Sequence, residues 1–190
     1  MKKGILTLTV ATLSSLMLLG CNSDSNNDTE TTDTTTGDTL ILTSNGMISS
    51  IDRAMPNKII SNLKVTGLQA GDELVGIDYR PKDSKLYAVG FMGNIYTLNP
   101  STGVATFVKK LIAEPTDTTD GNAAFSTILG DANLITVNFN PVADRLRVIT
   151  NTGQNLRINV DTGATITDGA INLAAGSATV VAGAYTNAFA

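Results

Sequence analysis

An internal repeat limits what this chain can fold into more than any other feature of its sequence. Residues 74–103 align without a gap with residues 134–163, an offset of 60 residues. Repeats with a period of this order arise from supersecondary units that bury a continuous core only by stacking on their neighbours. Identical residues in the two copies are Pro81 and Pro141, Leu86 and Leu146, Gly93 and Gly153, and Asn99 and Asn159.

Each copy of the repeat is predicted to form four short strands. Apolar and polar residues alternate up to Pro81, which is the period of a strand, and two further runs meet around Gly93 as a hairpin. Residues 99–103 have the composition of a tight turn. Four short antiparallel strands per repeated unit are typical of a propeller blade, although an irregular β-sandwich is not excluded by the spacing. In the first copy the predicted strands are 75–79, 86–90, 94–98 and 104–108.

Two partial copies flank the complete ones. Residues 40–52 follow the later half of the unit, with Gly46 in the place of Gly93, and residues 180–185 resemble residues 74–79. The sequence therefore predicts about three partial or complete four-stranded units in an all-β, propeller-like fold. Propellers usually have at least four blades, so an open sheet edge is expected, with self-association through it as one way of closure. A smaller sandwich and an incomplete domain are the alternatives.

Residues 111–133 separate the two complete copies, and we interpret them as an inserted surface loop. Asp117, Asp120 and Asn122 lie in this segment, but their spacing does not match a calcium-binding loop. No metal and no cofactor is predicted from the sequence.

The first residues predict export and lipidation. Lys2 and Lys3 precede an apolar stretch that is too short to span a bilayer, which is typical of a signal peptide over residues 1–20. Residues 18–21, the end of this region and the cysteine after it, resemble a bacterial lipobox, which makes the Cys21 thiol the predicted acceptor of a lipid anchor to the membrane. An ordinary cleaved signal with an incidental cysteine is the alternative. Asn22 favours the outer over the inner membrane of the cell envelope.

Composition divides the rest of the chain and excludes several functions. Residues 22–38 contain no large apolar residue, so residues 21–38 are predicted to be a lipidated, disordered acidic linker before a domain at 39–190. The 11 basic and 12 acidic residues of that domain give a net charge of −1, which argues against nucleic-acid binding. The chain has no histidine and no cysteine beyond Cys21, which excludes His- or Cys-based metal sites, thiol nucleophiles and Ser-His-Asp triads.

Three arginines form the candidate site. Arg145, Arg147 and Arg157 belong to one predicted hairpin, where Arg147 and Arg157 should lie close together across the ladder. Guanidinium groups suit bidentate contacts to carboxylate, phosphate or sulfated glycan, so the sequence predicts an anion site there. The alternative is that Asp144, Asp161 or main-chain carbonyls neutralise them. Two pairs of acids, Asp78 with Asp144 and Asp161 with Asp168, can also be nominated for acid–base chemistry, but nothing in the sequence fixes their separation.

These motifs resemble a bacterial family known as domain-of-unknown-function family 4394. The resemblance covers nearly all of residues 39–190, and it implies a propeller-like, exported protein with no known activity, substrate or catalytic residues. Members of the family continue beyond the segment 184–187, which implies that this chain is shortened at its C-terminus. The motifs that carry the resemblance are 74–81, 86–89, 95–103, 139–141, 144–148, 152–159 and 184–187.

Taken with the missing catalytic residue types, these features favour a non-enzymatic binding or scaffolding lipoprotein, with an unknown protein or glycan as its ligand. A hydrolase or lyase that uses carboxylates or a metal is the alternative, and a truncated family member with no function of its own is a third.

Overall fold

Short antiparallel strands make up a computed structural model, which describes residues 36–117, 123–169, 171 and 179–186. In these ranges helical structure is limited to one 3-10 turn at Ala132–Leu134, so the predicted all-β class is confirmed. No helix among the residues described is long and apolar enough to cross a bilayer. The strands are β1 Thr39–Leu42, β2 Met47–Asp52, β3 Met55–Lys64, β4 Leu74–Arg80, β5 Lys85–Gly90, β6 Asn94–Leu98, β7 Ala105–Lys110, β8 Ile112–Ala113, β9 Ile135–Asn140, β10 Arg145–Thr150, β11 Asn155–Ile158 and β12 Ala164–Asp168.

The strands form three sheets that follow one another along the chain. The first sheet has the order β1-β2-β3, and the second has the order β4-β5-β6-β7. The third sheet has the order β8-β12-β11-β10-β9, in which the short strand β8 pairs parallel to β12 and all other pairs are antiparallel. The second sheet and the last four strands of the third are thus propeller-like units of four strands connected in chain order.

The hydrogen-bond register confirms the gapless alignment of the two complete copies. Asp78 lies opposite Tyr87 in the second sheet, and the residues 60 positions later, Asn138 and Arg147, lie opposite each other in the third. A slip of one residue would turn every side chain to the other face of its sheet. The matching register therefore shows that equivalent positions of the two units point in equivalent directions.

The first sheet matches the later three strands of a complete unit. Leu40 lies opposite Ser50, as Tyr87 lies opposite Thr97 in the second sheet, which is an offset of 47 residues. Strands β1, β2 and β3 therefore correspond to β5, β6 and β7. In the part of the chain that is described, no strand of the first sheet corresponds to β4.

The core lies between the sheets in two clusters of buried apolar side chains. One cluster joins the second sheet to the third, where the rings of Tyr87 and Phe139 meet edge to face with centroids 5.4 Å apart. The other joins the first sheet to the second and includes Ile48, Leu86 and Tyr96. Burying one such side chain stabilises the fold by roughly 1.5–3 kcal/mol, so stacking of neighbouring sheets is the main source of stability.

The segment between the two complete copies is not the solvated loop that its composition suggested. Leu111, Phe125 and Ile128 are buried in the core between the second and third sheets, and β8 starts directly after Leu111. Asp117 is buried too, and its Oδ2 accepts a hydrogen bond of 2.9 Å from the Thr167 amide of β12. The predicted loop residues Asp120 and Asn122 lie outside the described residues.

The predicted signal peptide, Cys21 and the linker up to residue 35 also lie outside the described residues. The last residues of the predicted linker contact the first sheet. The Gly37 amide donates to Ser50 Oγ at 3.0 Å, and the Asp38 carboxylate accepts from the Arg53 amide and guanidinium. The described residues before β1 therefore already contact the first sheet.

Candidate functional site

One face of the third sheet packs on the second sheet, and its opposite face, called the open face here, carries polar side chains. The division follows from strand alternation, because Val137 and Phe139 point into the core while Thr136 and Asn138 point the other way. The next two strands alternate in the same manner, with half-buried residues between fully buried ones. The open face consists of Thr136, Asn138, Arg147, Ile149, Asn155, Arg157 and Asp168.

Two of the predicted arginines meet at the centre of the open face. Arg147 and Arg157 lie directly opposite each other on β10 and β11, as the sequence predicted. Both bind the carboxylate of Asp168. Arg147 donates from Nη1, and Arg157 donates from Nη2 at 2.8 Å and from Nε at 3.1 Å. A second bond, 2.8 Å long, runs from Arg147 Nη1 to Asn155 Oδ1. In the described contacts, two guanidinium groups thus share one carboxylate.

The Asp168 carboxylate stays ionised in this cluster. Burial alone would raise the pKa of Asp168, but hydrogen bonds from Arg157 and Arg147 outweigh burial and lower the pKa below its usual value. Burial likewise opposes the charge of Arg147, yet the pKa of Arg147 is raised by its bonds to Tyr185 and Asp168. Asp168 and Arg147 therefore both carry their charges near neutral pH.

Arg145 does not join the other two arginines. Its Nη1 donates to the carbonyl oxygens of Asp144 at 3.0 Å and Ala143 at 3.4 Å, in the turn before β10. Main-chain carbonyls were among the expected partners of the arginines, and they do hold Arg145. The other expected partners, Asp144 and Asp161, do not bind Arg147 or Arg157, because both are engaged by Arg80.

Arg80 was not singled out from the sequence, yet it is the most buried charged side chain in the ranges described, at 3% exposure. It makes bidentate contacts with Asp144, at 2.7 Å from Nε and from Nη2, and with Asp161, at 2.8 Å from Nη1 and from Nη2. Asp83 lies 3.3 Å from Nη1. These hydrogen bonds hold the pKa of Asp144 at about 2, well below its ordinary value. Arg80 stands at the end of β4, so the network fastens the second sheet to the third.

The nominated acid–base pairs are engaged in structural contacts. Asp78 accepts hydrogen bonds from the Phe139 amide at 2.6 Å and from the Tyr79 amide at 2.9 Å, and burial raises its pKa. Asp144 and Asp161 accept hydrogen bonds from Arg80, and Asp168 accepts them from Arg147 and Arg157 on the open face. Asp78 lines a cavity of about 460 Å³. Within the described ranges, no group of three Asp, Glu, His or Cys side chains is placed to hold a metal ion.

Residues 179–186 lie along β9, the strand at the edge of the third sheet, on the side of the open face. Gly183 O accepts a 3.0 Å bond from Thr136 Oγ1, and the Tyr185 amide donates to Asn138 Oδ1 at 3.0 Å. Arg147 Nε donates to the Tyr185 hydroxyl at 3.3 Å. Residues 179–186, where a fourth unit was expected to begin, are not hydrogen-bonded as a strand. Their contacts nevertheless border a cavity of about 320 Å³ on the open face.

Comparison with known proteins places the chain in a family. The family model described as a domain of unknown function, DUF4394, matches residues 47–190. The chain belongs to this family. The resemblance inferred from the repeat motifs is thereby confirmed. No curated protein matches the sequence.

Among solved structures, the protein is similar to the crystal structure of BamB from Moraxella catarrhalis. The two are 18% identical, with a TM-score of 0.31. The match covers 66% of this chain, and this chain spans 30% of the length of the BamB chain.

Proposed function

We propose that this family member is a lipid-anchored protein of the bacterial cell envelope whose β-domain binds another protein on the open face and carries out no chemistry of its own. One observation supports the binding role above the others. Residues 180–185 contact β9 of the third sheet in the way that β9 contacts β4 of the second sheet. The open face of the third sheet is therefore a place where a further sheet can pack. The anchoring role rests on the sequence around Cys21.

The state of the acidic residues argues against the alternative of a hydrolase or lyase. A general acid must hold a proton near neutral pH, which requires a raised pKa. The pKa values of Asp144, Asp161 and Asp168 are lowered by arginine contacts. Asp78, whose pKa is raised by burial, has both carboxylate oxygens occupied by main-chain amides. Carboxylates that are engaged by arginines or main-chain amides suit structural contacts better than proton transfer.

The anchor and the binding face are tested together in membranes of a bacterial host. Wild-type chain should sediment with the membranes, whereas Cys21→Ala should leave the membrane fraction, because the thioether acceptor is gone. A photoreactive residue in place of Ile149, on the open face, should cross-link to one defined protein when membranes that contain this variant are illuminated. Immunoblots of fractions and of cross-linked membranes give both results.

Val142 provides the control for cross-linking, because it is 71% exposed in the turn between β9 and β10, away from the open face. The same photoreactive residue there should give no adduct of that mass. Retention of Cys21→Ala on membranes would contradict the anchor. Equal labelling from positions 149 and 142 would contradict the binding face.

A second candidate function is recognition of an anionic group by the paired arginines. It is favoured by the direct opposition of Arg147 and Arg157 on the open face, and by the partial exposure of Arg157, 41% of its side chain. Carboxylates, phosphates and sulfates all match the fork of a guanidinium. A glycan that carries such groups is a ligand of the same chemistry.

The double variant Arg147→Gln/Arg157→Gln should abolish binding of a sulfated oligosaccharide, because both bidentate donors are lost. Titration calorimetry with the detergent-solubilised protein measures this binding. Arg145→Gln is the matched control, since Arg145 bonds only to carbonyl oxygens of its own turn in the described contacts, and it should bind like wild type. If the double variant unfolds instead, the arginines serve stability. If wild type binds no anion, this candidate fails.

A further inference from the structure

The contact that joins the second sheet to the third is repeated at the end of the described chain. Between those sheets, the Phe139 amide of β9 donates to Asp78 Oδ2 of β4. One repeat later, the Tyr185 amide donates to Asn138 Oδ1 of β9, and Asn138 is the equivalent of Asp78. Tyr185 therefore makes the same contact with β9 that Phe139 makes with β4.

A second pair of close neighbours repeats with the same spacing. Val137 packs so closely on Gly76 that a side chain added to Gly76 would overlap it. The equivalent pair one unit later is Gly183 and Thr136, where a Cβ on Gly183 would lie 3.3 Å from Thr136 Cγ2. Two independent contacts thus put residues 180–185 in the position that β4 and β9 hold in their own units. They occupy the place of the first strand of a fourth unit. We call this first strand, which is β4 in the second sheet and β9 in the third, the inner strand.

Among the described residues, the first sheet lacks an inner strand, which is the element that residues 180–185 resemble. Its strands correspond to β5, β6 and β7, and in a complete unit β5 pairs with an inner strand on its other side. In the ranges that the structure describes, β1 pairs with β2 alone. The face of the first sheet that points away from the second carries Ile41, which is 43% exposed. Among the described residues, the edge of this sheet at β1 therefore has no partner strand, and Ile41 beside that edge is partly exposed.

We infer that residues 180–185 of one copy of this chain pair with β1 of a second copy. The inference rests on the proposed binding role of the open face and names the partner as the chain itself. With the borrowed strand the first sheet becomes a four-stranded unit, so the described residues of two copies together form six units. Propellers close with about four to eight blades, and pairing within one chain would give a ring of only three. A head-to-tail interface of this kind closes into a symmetric ring of two copies.

The repeat also fixes the register of the pairing between copies. In the second sheet Asp78 lies opposite Tyr87 and Gly76 opposite Val89. Moving to the equivalent positions places Ala184 opposite Leu40 and Ala182 opposite Leu42 of the partner copy. The partner's first sheet then covers the open face, and Ile41 is buried against it. An anionic ligand of the arginine cluster would compete with this association.

Disulfide cross-linking between two differently tagged copies tests the pairing. One full-length copy carries Leu42→Cys, the other carries Ala182→Cys, and both are expressed together and oxidised in the membrane. Directly opposed residues on neighbouring strands lie within the Cα separation of a disulfide. We expect a disulfide-linked heterodimer that contains both tags. Ile41→Cys in place of Leu42→Cys is the matched control, because a shift of one residue points the thiol to the other face of the sheet.

The mass of the detergent-solubilised wild-type chain gives a second measurement. A discrete species of two copies supports the closed ring. A monomer, an open-ended series of oligomers, or equal cross-linking of the two register variants overturns the inference. If Ala182→Cys cross-links only to a different protein, the open face is a docking site but a second copy is the wrong partner. If position 149 labels no protein and position 182 forms no cross-link, the proposed binding role fails as well.

Discussion

Replacing Arg80 with methionine is expected to lower the free energy of unfolding by about 3 kcal/mol. The guanidinium side chain is 4% exposed and neutralises Asp83, Asp144 and Asp161, so its loss leaves three carboxylates without their main counter-charge. Removing one partner of a buried ion pair costs roughly 3–5 kcal/mol. The lower end applies here because the acids are 25–53% exposed and can be partly hydrated.

Thermal unfolding of the full-length protein in detergent measures this loss. For a domain of about 150 residues, 1 kcal/mol corresponds to roughly 2–4 °C, so Tm should fall by about 6–12 °C. Lys82→Met is the control, because Lys82 also contacts Asp144 and Asp161 but is 62% exposed. Surface ion pairs contribute about 0–1 kcal/mol, so this variant should melt close to wild type. Similar losses for the two variants would show that burial of Arg80 is not what matters.

The same network gives the wild-type protein a defined acid sensitivity. Hydrogen bonds from Arg80 hold the pKa of Asp144 at about 2 in the folded state, against an ordinary value of 3.8. A depressed folded-state pKa stabilises the protein above pH 4, and that stabilisation is lost as the pH falls towards 2. The Arg80→Met variant lacks the cause of the shift, so its Tm should depend less on pH in this range.

The sequence predicted the fold where two copies of the repeat could be compared. The gapless alignment and the predicted turn together placed Arg147 opposite Arg157, because register in a hairpin follows from the position of the turn. The alignment carries finer features as well. Ser84 and Asp144 stand at equivalent positions, and both have positive φ angles, of 54° and 49°. Turn geometry is thus repeated even where the residue type is not.

The contacts that the sequence did not predict join residues far apart in the chain. Arg80 binds Asp144 and Asp161, which are 64 and 81 residues away. Their equivalents in the other copy are Ser84 and Ser101, so the repeat does not mark these positions as acidic. Phe125 and Ile128 lie in a segment that its composition predicted to be a surface loop, so the sequence did not indicate that they enter the core. Local pattern specifies strands and turns, whereas the packing of one sheet on the next specifies which polar and apolar residues meet.

A substitution of one glycine should disturb the junction between neighbouring sheets as strongly as the loss of Arg80. Gly163 has a φ angle of +82° and lies against the carbonyl of Lys110, where a side-chain carbon would collide with the main chain. Its own carbonyl oxygen accepts a 3.0 Å bond from the Ile112 amide of β8. Gly163→Ala should therefore cost about 2–5 kcal/mol, of which roughly 1–2 reflect the left-handed backbone and 1–3 the collision.

Gly153→Ala separates the two contributions, because Gly153 has a similar φ angle of +84° but no atom within 4 Å of the position of an added side-chain carbon. Its expected cost is therefore the backbone strain alone, about 1–2 kcal/mol. Urea unfolding of both variants gives the difference. At Gly103, the equivalent of Gly163, an added Cβ would likewise lie only 2.6 Å from the carbonyl oxygen of Lys64 at the end of the first sheet. A larger loss of stability at Gly163 than at Gly153 would show that each unit depends on close contact with the end of the last strand of the unit before it. Equal losses would mean that the main chain at Lys110 moves aside freely, and that the sheets are joined chiefly by their core and by Arg80.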